Sequence, residues 1–419
     1  MNSSRPSLPA VLTLIAVACQ PSVPPPGQVE ADVTFLAADR LEGRGVGTAG
    51  LDSAAAYVAA RFEDVGLQPG EPGGYLQDFR IDSTAPAAAH AGLGGAPVTN
   101  IVGFLPGSGS LAGEVVVVGA HYDHLGLGTQ GGSLDPDSTG VVHNGADDNA
   151  SGTAALIDIA ARLASRTAPD HRRIVFVAFT AEELGLIGSD YYAKHPPYPA
   201  DSTFAMVNLD MVGRLRDRRL AAFGTETATQ FTALLDSVNA RHQLDITTGG
   251  DGFGRSDHQS FYVTGVPVVH FFTGTHEDYH RTTDDPGTLN FPGVLAVDSL
   301  VSDFVWALAT RRTPLDFVEV APPREVRAPA GGERPYLGTI PDMTGTPGGV
   351  RLNGVTSGSP ADEAGLRTGD ILIGLGDHPV GDLFDMTDAL NAYRPGDTVT
   401  LRVKRDGREV TLTATLRSR

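Results

Sequence analysis

An α/β fold, with a sheet covered by helices on both faces and a small β-rich domain after it, is what this sequence predicts. Three observations carry that reading. Short β-branched runs alternate with helical periods from about residue 29 to 317. The alternation stops at 318–334, a segment dense in proline and glycine that reads as a linker. The remaining stretch, 335–419, again holds strand-like runs and is long enough for one small domain.

The elements follow in order. Residues 115–119 are a β-branched strand, and 150–163 a helix with Leu156, Ile159, Ala160 and Leu163 on one face. Residues 174–179 form a second buried strand and 186–194 a helix. Strands are expected at 204–209 and 266–272, and amphipathic helices at 228–241 and 292–308, the latter with Pro292 in its first turn. After the linker, 349–355, 371–375 and 399–403 read as strands and 383–393 as a helix.

Bulk properties narrow the function. A hydrophobic content of 41% is ample for globular cores, and 419 residues favour two domains over one. The net charge of -19 argues against a nucleic-acid partner, since phosphate binding needs a basic surface. At the N-terminus, Arg5 precedes an apolar run, 11–18, that is too short to span a membrane and ends at Cys19, the single cysteine. This leader, 1–18, resembles a bacterial lipoprotein signal, which implies lipidation of Cys19. A Pro-rich tether, 19–28, would hold the body off the bilayer. The expected place is the bacterial envelope facing the periplasm, at the outer rather than the inner membrane, with membrane contact through Cys19 alone.

The chemistry sits in five short segments: Gly119-Ala120-His121-Tyr122-Asp123, Gly145-Ala146-Asp147-Asp148-Asn149, Ala181-Glu182-Glu183-Leu184, Asn208-Leu209-Asp210-Met211 and Asp278-Tyr279-His280. Two histidines and three carboxylates make a donor set for paired metal ions, about three donors per ion with one shared. His121, Asp210 and the Glu182-Glu183 pair each follow a predicted strand, where sites form in open α/β sheets. Asp123 is placed to orient the His121 ring. Asp148 or Asn149 reads as a helix cap. Of two adjacent glutamates, one can bind metal while the other takes a proton. His124 reads as a surface or pocket residue, and Ser256-Asp257-His258 as pocket wall or support, with Ser256 as a cap.

These segments, over 29–317, resemble the zinc-dependent exopeptidases that include secreted bacterial aminopeptidases and glutamate carboxypeptidase. The resemblance implies a mixed, mostly parallel sheet sandwiched by helices. It implies two zinc ions per chain, with Asp147 bridging, His121 and Asp210 completing one site, and Glu183 and His280 the other. Glu182 would be the general base, and a cis peptide would join Asp147 to Asp148. Asp123, Asp148, Asp257, His258 and Tyr279 would support the ligands or line the substrate pocket. Residues 335–419 resemble a PDZ domain of the bacterial protease type. The match rests on Tyr336-Leu337-Gly338-Thr339-Ile340 and on Ser359-Pro360-Ala361-Asp362-Glu363-Ala364-Gly365-Leu366. Leu337, Gly338, Thr339 and Ile340 would then receive a peptide or protein C-terminus.

The expected activity is hydrolysis of terminal peptide bonds by an aminopeptidase acting on peptides. A carboxypeptidase of the same family needs a cation for the substrate carboxylate, and Arg214, Arg255 and Arg281 lie near the site segments. A glutaminyl cyclase would dispense with the second zinc. A metal-free binding scaffold would have lost ligands. The complete set of donors argues against the last two.

Overall fold

A computed structural model describes residues 27–135, 138–254, 256–320, 335–342, 346 and 348–418. The leader 1–18, Cys19, the tether as far as Pro26, linker residues 321–334 and Arg255 lie outside the described residues.

One nine-stranded sheet carries the larger body. In chain order its elements are α1 (Gln28–Leu36), α2 (Ala49–Asp64), β1 (Gln68–Pro69), β2 (Leu76–Arg80), α3 (Pro86–His90), β3 (Pro97–Leu105) and β4 (Val115–His121). Then come α4 (Gly152–Ala164), β5 (Arg173–Phe179), α5 (Ile187–Lys194), β6 (Thr203–Leu209), β7 (Arg219–Phe223) and α6 (Phe231–Asn239). β8 (Asp245–Gly249), α7 (His258–Tyr262), β9 (Val268–Phe272) and α8 (Phe291–Thr310) complete it. The strand order is β1-β3-β5-β4-β6-β9-β7-β8, with β2 also on β3. The central strands β5, β4, β6 and β9 run parallel, while β3 pairs antiparallel with β5 and β7 antiparallel with β9. The sheet is thus mixed and mostly parallel at its centre.

The centre is parallel because both of its faces are apolar. β4 is buried along its whole length. Val116, Val118 and Ala120 face the layer that contains α4 and α8. Val115 and Val117 face Tyr192 of α5 and Phe261 of α7. Period-two alternation with both faces covered is the pattern of a crossover-connected sheet. Each buried valine contributes about 1.5–3 kcal/mol relative to exposure. α8 is long and apolar enough to cross a membrane by length and composition. Here Val294, Val297, Leu300, Val301, Phe304 and Leu308 are buried in the core of this body.

The linker starts later than its composition suggests. Val318 N–H donates to the Thr227 carbonyl at 2.9 Å and Val320 N–H to the Tyr262 hydroxyl at 2.6 Å. Both residues belong to the larger body. Beyond the linker, β10 (Pro335–Tyr336), β11 (Thr339–Pro341), β12 (Val350–Val355), α9 (Pro360–Glu363), β13 (Ile371–Leu375) and β14 (His378–Pro379) precede α10 (Leu383–Asn391). β15 (Thr398–Arg405), β16 (Arg408–Thr415) and β17 (Arg417–Ser418) follow it. An antiparallel sheet, β11-β12-β13-β15-β16, closes over a core of its own that includes Leu337, Leu352, Leu372, Leu401 and Val403. Leu337 is buried in that core, Gly338 turns the chain at φ +85°, and Thr339 and Ile340 lie on the edge strand β11. An edge strand of this kind has an open side for an added peptide strand.

Candidate metal centre

The site assembles where the parallel strands end. His121 is the last residue of β4, Asp210 follows β6 directly, and Glu182 and Glu183 lie three and four residues past β5. His280 comes from the loop after β9. Asp123, beyond His121, sets the glutamate turn. Its two carboxylate oxygens accept the N–H groups of Glu182 at 3.1 Å and Glu183 at 3.3 Å. The expected contact with the His121 ring is made instead by the Asp123 carbonyl, 3.2 Å from Nδ1 against 3.9 Å for the carboxylate. With Nδ1–H donating there, the Nε2 lone pair of His121 faces the centre.

Two clusters share one carboxylate. His121 Nε2 lies 3.4 Å from Asp148 Oδ1 and 3.4 Å from Asp210 Oδ1. On the other side, His280 Nε2 lies 3.2 Å from Asp148 Oδ2 and 3.2 Å from Glu183 Oε2. His280 Nδ1 sits 2.9 Å from the Gly132 carbonyl, which orients that ring in turn.

The shared residue is Asp148, and the expectation of a bridging Asp147 is corrected. Asp147 Oδ1 is taken by the Gly213 N–H at 2.6 Å and the Ser151 hydroxyl at 3.0 Å, and its Oδ2 faces His276 Nε2 at 3.1 Å. The cis peptide likewise joins Asp148 to Asn149 rather than Asp147 to Asp148. The turn decides which aspartate points inward. Gly145 sits at φ +55°, and a Cβ there would fall 2.2 Å from the Asp148 carbonyl oxygen and 2.4 Å from the His124 ring. Asp284 Oδ2 then accepts the N–H of both Asp147 and Asp148, at 2.9 and 3.0 Å. Asn149 does cap α4 as expected, its Oδ1 accepting the Gly152 N–H at 2.9 Å, and it does more. Its amide donates to the Leu209 carbonyl at 3.0 Å and accepts from Met211 N–H at 3.2 Å, tying the Asp148 turn to the segment that bears Asp210.

Several neighbours differ from their expected places. His124 is buried, with Nδ1 2.8 Å from Glu183 Oε1, so it braces that carboxylate rather than lying on the surface. Ser256 donates to Asp210 Oδ2 at 2.7 Å while accepting from the Asn208 amide at 2.7 Å, which leaves Asp210 Oδ1 for the cluster. His258 stacks on His270 at 4.6 Å, in the layer behind Asn208, and is no pocket wall. Burial pushes its imidazole down to about 3. Asp257 is fully buried, and burial, opposed by His121, lifts its carboxyl to about 7. Tyr279 stacks on the His280 ring at 3.9 Å and is only partly covered. Asp284 escaped the sequence reading, although it stands four residues after His280 on the same loop.

The electrostatics separate the adjacent glutamates. Burial, Glu183, Asp257 and Asp210 together raise the Glu182 carboxyl well above the usual range, against the pull of His121. Glu183, equally buried, is driven down to about 2 by His280 and by hydrogen bonds from His124 and His280. Two neighbouring carboxyls pushed apart in this way are suited to different work. Burial disfavours the His121 and His280 imidazolium ions. The surrounding carboxylates nevertheless raise both well above the usual histidine range. The centre is therefore short of positive charge, which a bound cation supplies while displacing protons.

The donor set fits zinc. Tetrahedral zinc holds nitrogen and oxygen ligands at about 2.0–2.1 Å, which sets ligand atoms about 3.3 Å apart. The histidine-to-carboxylate separations of 3.2–3.4 Å match that edge on both sides of Asp148, and His124 stands beside Asp148 and Glu183 as a further nitrogen donor. Asp210 Oδ1 is buried with no hydrogen bond of its own, as a ligand oxygen would be.

Comparison with known proteins agrees with this geometry. Residues 100–305 match the family model for peptidase family M28, and residues 335–416 match that for the PDZ domain. The larger body thus carries a peptidase family M28 domain and the C-terminal body a PDZ domain. It is 29% identical over 198 residues to aminopeptidase YwaD of Bacillus subtilis, covering 44% of this chain and 39% of that protein. It is 28% identical over 284 residues to leupeptin-inactivating enzyme 1 of Streptomyces exfoliatus, covering 66% of this chain and 56% of that protein. The matched regions thus span only about half the length of these relatives or less. In fold, the body resembles the zinc aminopeptidase BSAP from Bacillus subtilis (TM-score 0.54, 18% identity, 70% of this chain and 97% of that one). It also resembles a Zn-dependent exopeptidase from Parabacteroides distasonis (TM-score 0.54, 19% identity, 68% of this chain and 99% of that one).

Proposed function

We propose that this chain is an exported di-zinc aminopeptidase that removes N-terminal residues from peptides. The observation that carries the reading is Asp148, whose two oxygens each face a separate histidine–carboxylate pair. His121, Asp148 and Asp210 would hold one zinc, and Asp148, Glu183 and His280 the other. The ions supply Lewis acidity and lower the pKa of the attacking water. Glu182 is the residue left free for proton transfer. It takes the proton of the attacking water and returns it to the nitrogen of the leaving amine. The Tyr279 phenol, raised well above its usual value by burial and by Asp148, Glu183, Glu182 and Asp210, stays protonated and can donate to the substrate carbonyl.

Charge favours amine over carboxylate recognition. The centre is ringed by the carboxyl groups of Asp148, Glu182, Glu183 and Asp210, acceptors that suit a substrate amine better than a substrate carboxylate. Arg214 is already paired with Asp278 at 3.0 Å and Asp284 at 3.2 Å, and Arg281 with Asp135 at 2.8 Å. Neither is free to clamp a substrate carboxylate. The names of the relatives support the same choice.

The test uses purified full-length protein with zinc measured by elemental analysis. Two zincs per chain are expected, with free-amine and C-blocked peptides cleaved and N-blocked peptides left intact. Cleavage of N-blocked peptides alone would reverse the polarity to a carboxypeptidase, and full activity with one zinc would remove the two-metal assignment. Export is read separately: lipidated at Cys19, the protein would partition into detergent with envelope membranes, and Cys19→Ser would not.

A further inference from the structure

The centre rests on a buried cation that none of the metal-type segments contains. Arg44 has no solvent exposure, and among the described residues it pairs with no carboxylate. Its guanidinium donates only to backbone carbonyls: Tyr122 at 2.8 Å from Nε, Leu36 at 2.6 Å and Asn144 at 2.7 Å from Nη1, and Gly145 at 2.8 Å from Nη2. Tyr122 follows His121 directly. Asn144 and Gly145 begin the turn that presents Asp148. One rigid fork therefore spans two ligand-bearing arms that are about twenty residues apart in sequence.

The backbone around it is unusual in the same place. Glu42, Gly43 and Arg44 adopt φ of +50°, +61° and +49° in succession. Left-handed non-glycine residues are costly and persist where the surroundings over-determine them. Here the carbonyls of Gly43 and Arg44 accept the N–H groups of Gly126 and His124 at 3.1 and 3.2 Å. A Cβ on Gly43 would meet the Gly126 and His143 carbonyl oxygens at 2.4 and 2.5 Å. The strained turn thus delivers the guanidinium into a slot between the arms. From the opposite side, Asp284 receives the N–H of Ala146 on its carbonyl at 2.9 Å and those of Asp147 and Asp148 on its carboxylate. Carbonyls 144 and 145 are held by Arg44, and amides 146 to 148 by Asp284.

We propose that Arg44 is a positioning residue of the metal centre, whose guanidinium fixes the separation of the His121 and Asp148 arms before any ion binds. The inference rests on the zinc reading given above. A competing role is purely structural. Leu36 is the last residue of α1, so Arg44 also caps that helix, as basic side chains do at helix C-termini.

The experiment compares full-length wild type with Arg44→Lys, which keeps the charge but loses the planar fork. Zinc affinity is measured by chelator competition at a temperature where thermal unfolding shows both proteins folded. A loss of about 10- to 100-fold in affinity is expected for folded Arg44→Lys, the range found for groups that hold ligands in place. A variant that melts earlier yet binds zinc as tightly as wild type would reduce Arg44 to a helix cap and overturn the proposal. If the variant does not fold, wild type decides. Amide hydrogen exchange at 122–126 and 144–148 should stay protected after zinc removal, because the arms are set without the metal. Collapse of that protection would show that the ion organises the arms, and the proposal would fall. A wild type that binds no zinc at all would refute the underlying metal reading, and this proposal with it.

Discussion

At the level of single residues, the acids of the centre divide into ligand, base and support, and substitutions should separate them. Asp148→Asn should lose both zincs, because one amide cannot serve two cations. Asp147→Asn should keep both, at a stability cost of about 1–3 kcal/mol from its Gly213 and Ser151 bonds. Elemental analysis beside thermal unfolding checks the pair, and zinc loss from the Asp147 variant alone would restore the bridging role to that residue. Glu182→Gln should keep both ions and lose turnover by about 10²- to 10⁴-fold, the usual range for a positioned proton acceptor. Glu183→Gln should instead weaken zinc binding. Most of these residues were legible in the sequence because metal donors are chemically distinctive and His121, Asp210 and the two glutamates follow strands closely. Asp147 and Asp148 were not separable, since neighbouring acids of identical chemistry differ only in what the turn does with them. Arg44 left no pattern at all: its partners are carbonyls, which every residue has.

The secondary-structure elements show the same division. β4, β5, β6 and β9 were legible because runs buried on both faces are almost continuously apolar, with Asn208 in β6 and His270 in β9 as the polar exceptions inside them. β1 and β2 were not, being short and largely exposed on an edge. The helix pair α4 and α8 adds a feature invisible to periodicity, a buried acid pair. Asp298 of α8 lies beside Asp158 of α4, which Arg162 Nε binds at 2.5 Å. Burial first, and Asp158 second, raise the Asp298 carboxyl well above its usual range. A group raised in the folded state favours folding at low pH and loses that contribution as pH rises through its folded value. Stability should therefore decline on the alkaline side of the ordinary carboxylate range for this reason. Asp298→Asn, which mimics the neutral acid, should flatten that decline and leave stability below it within about 1 kcal/mol. Urea unfolding across a pH series would show it; an unchanged alkaline slope would mean that Asp298 is not the group responsible.

For the whole molecule, two cores joined by a Pro- and Gly-rich segment suggest that the larger body works alone. Composition places the cut near 318, but the structure moves it. Phe317 bridges to Ala228, and Val318 and Val320 are bonded to Thr227 and Tyr262. A chain ending at Val320 should therefore fold, bind zinc and cleave short free-amine peptides at near-normal rates, whereas one ending at Leu315 should be less stable. All proposed ligands lie upstream of either cut. One contact qualifies the independence: the Thr275 hydroxyl, five residues before His280, donates to the Pro341 carbonyl of β11 at 2.6 Å. Losing a single hydrogen bond of this kind costs about 0.5–1.5 kcal/mol, too little to dismantle a loop that Asp135, Asp278 and Asp284 also hold. The PDZ domain should matter only for longer substrates, whose C-termini could add to the open side of β11 while the N-terminus enters the centre. Kinetics of the 320-residue chain on a peptide length series would decide. A loss of kcat on dipeptides with zinc retained would show that the Thr275–Pro341 contact completes the active-site loop, and that the two domains form one catalytic unit.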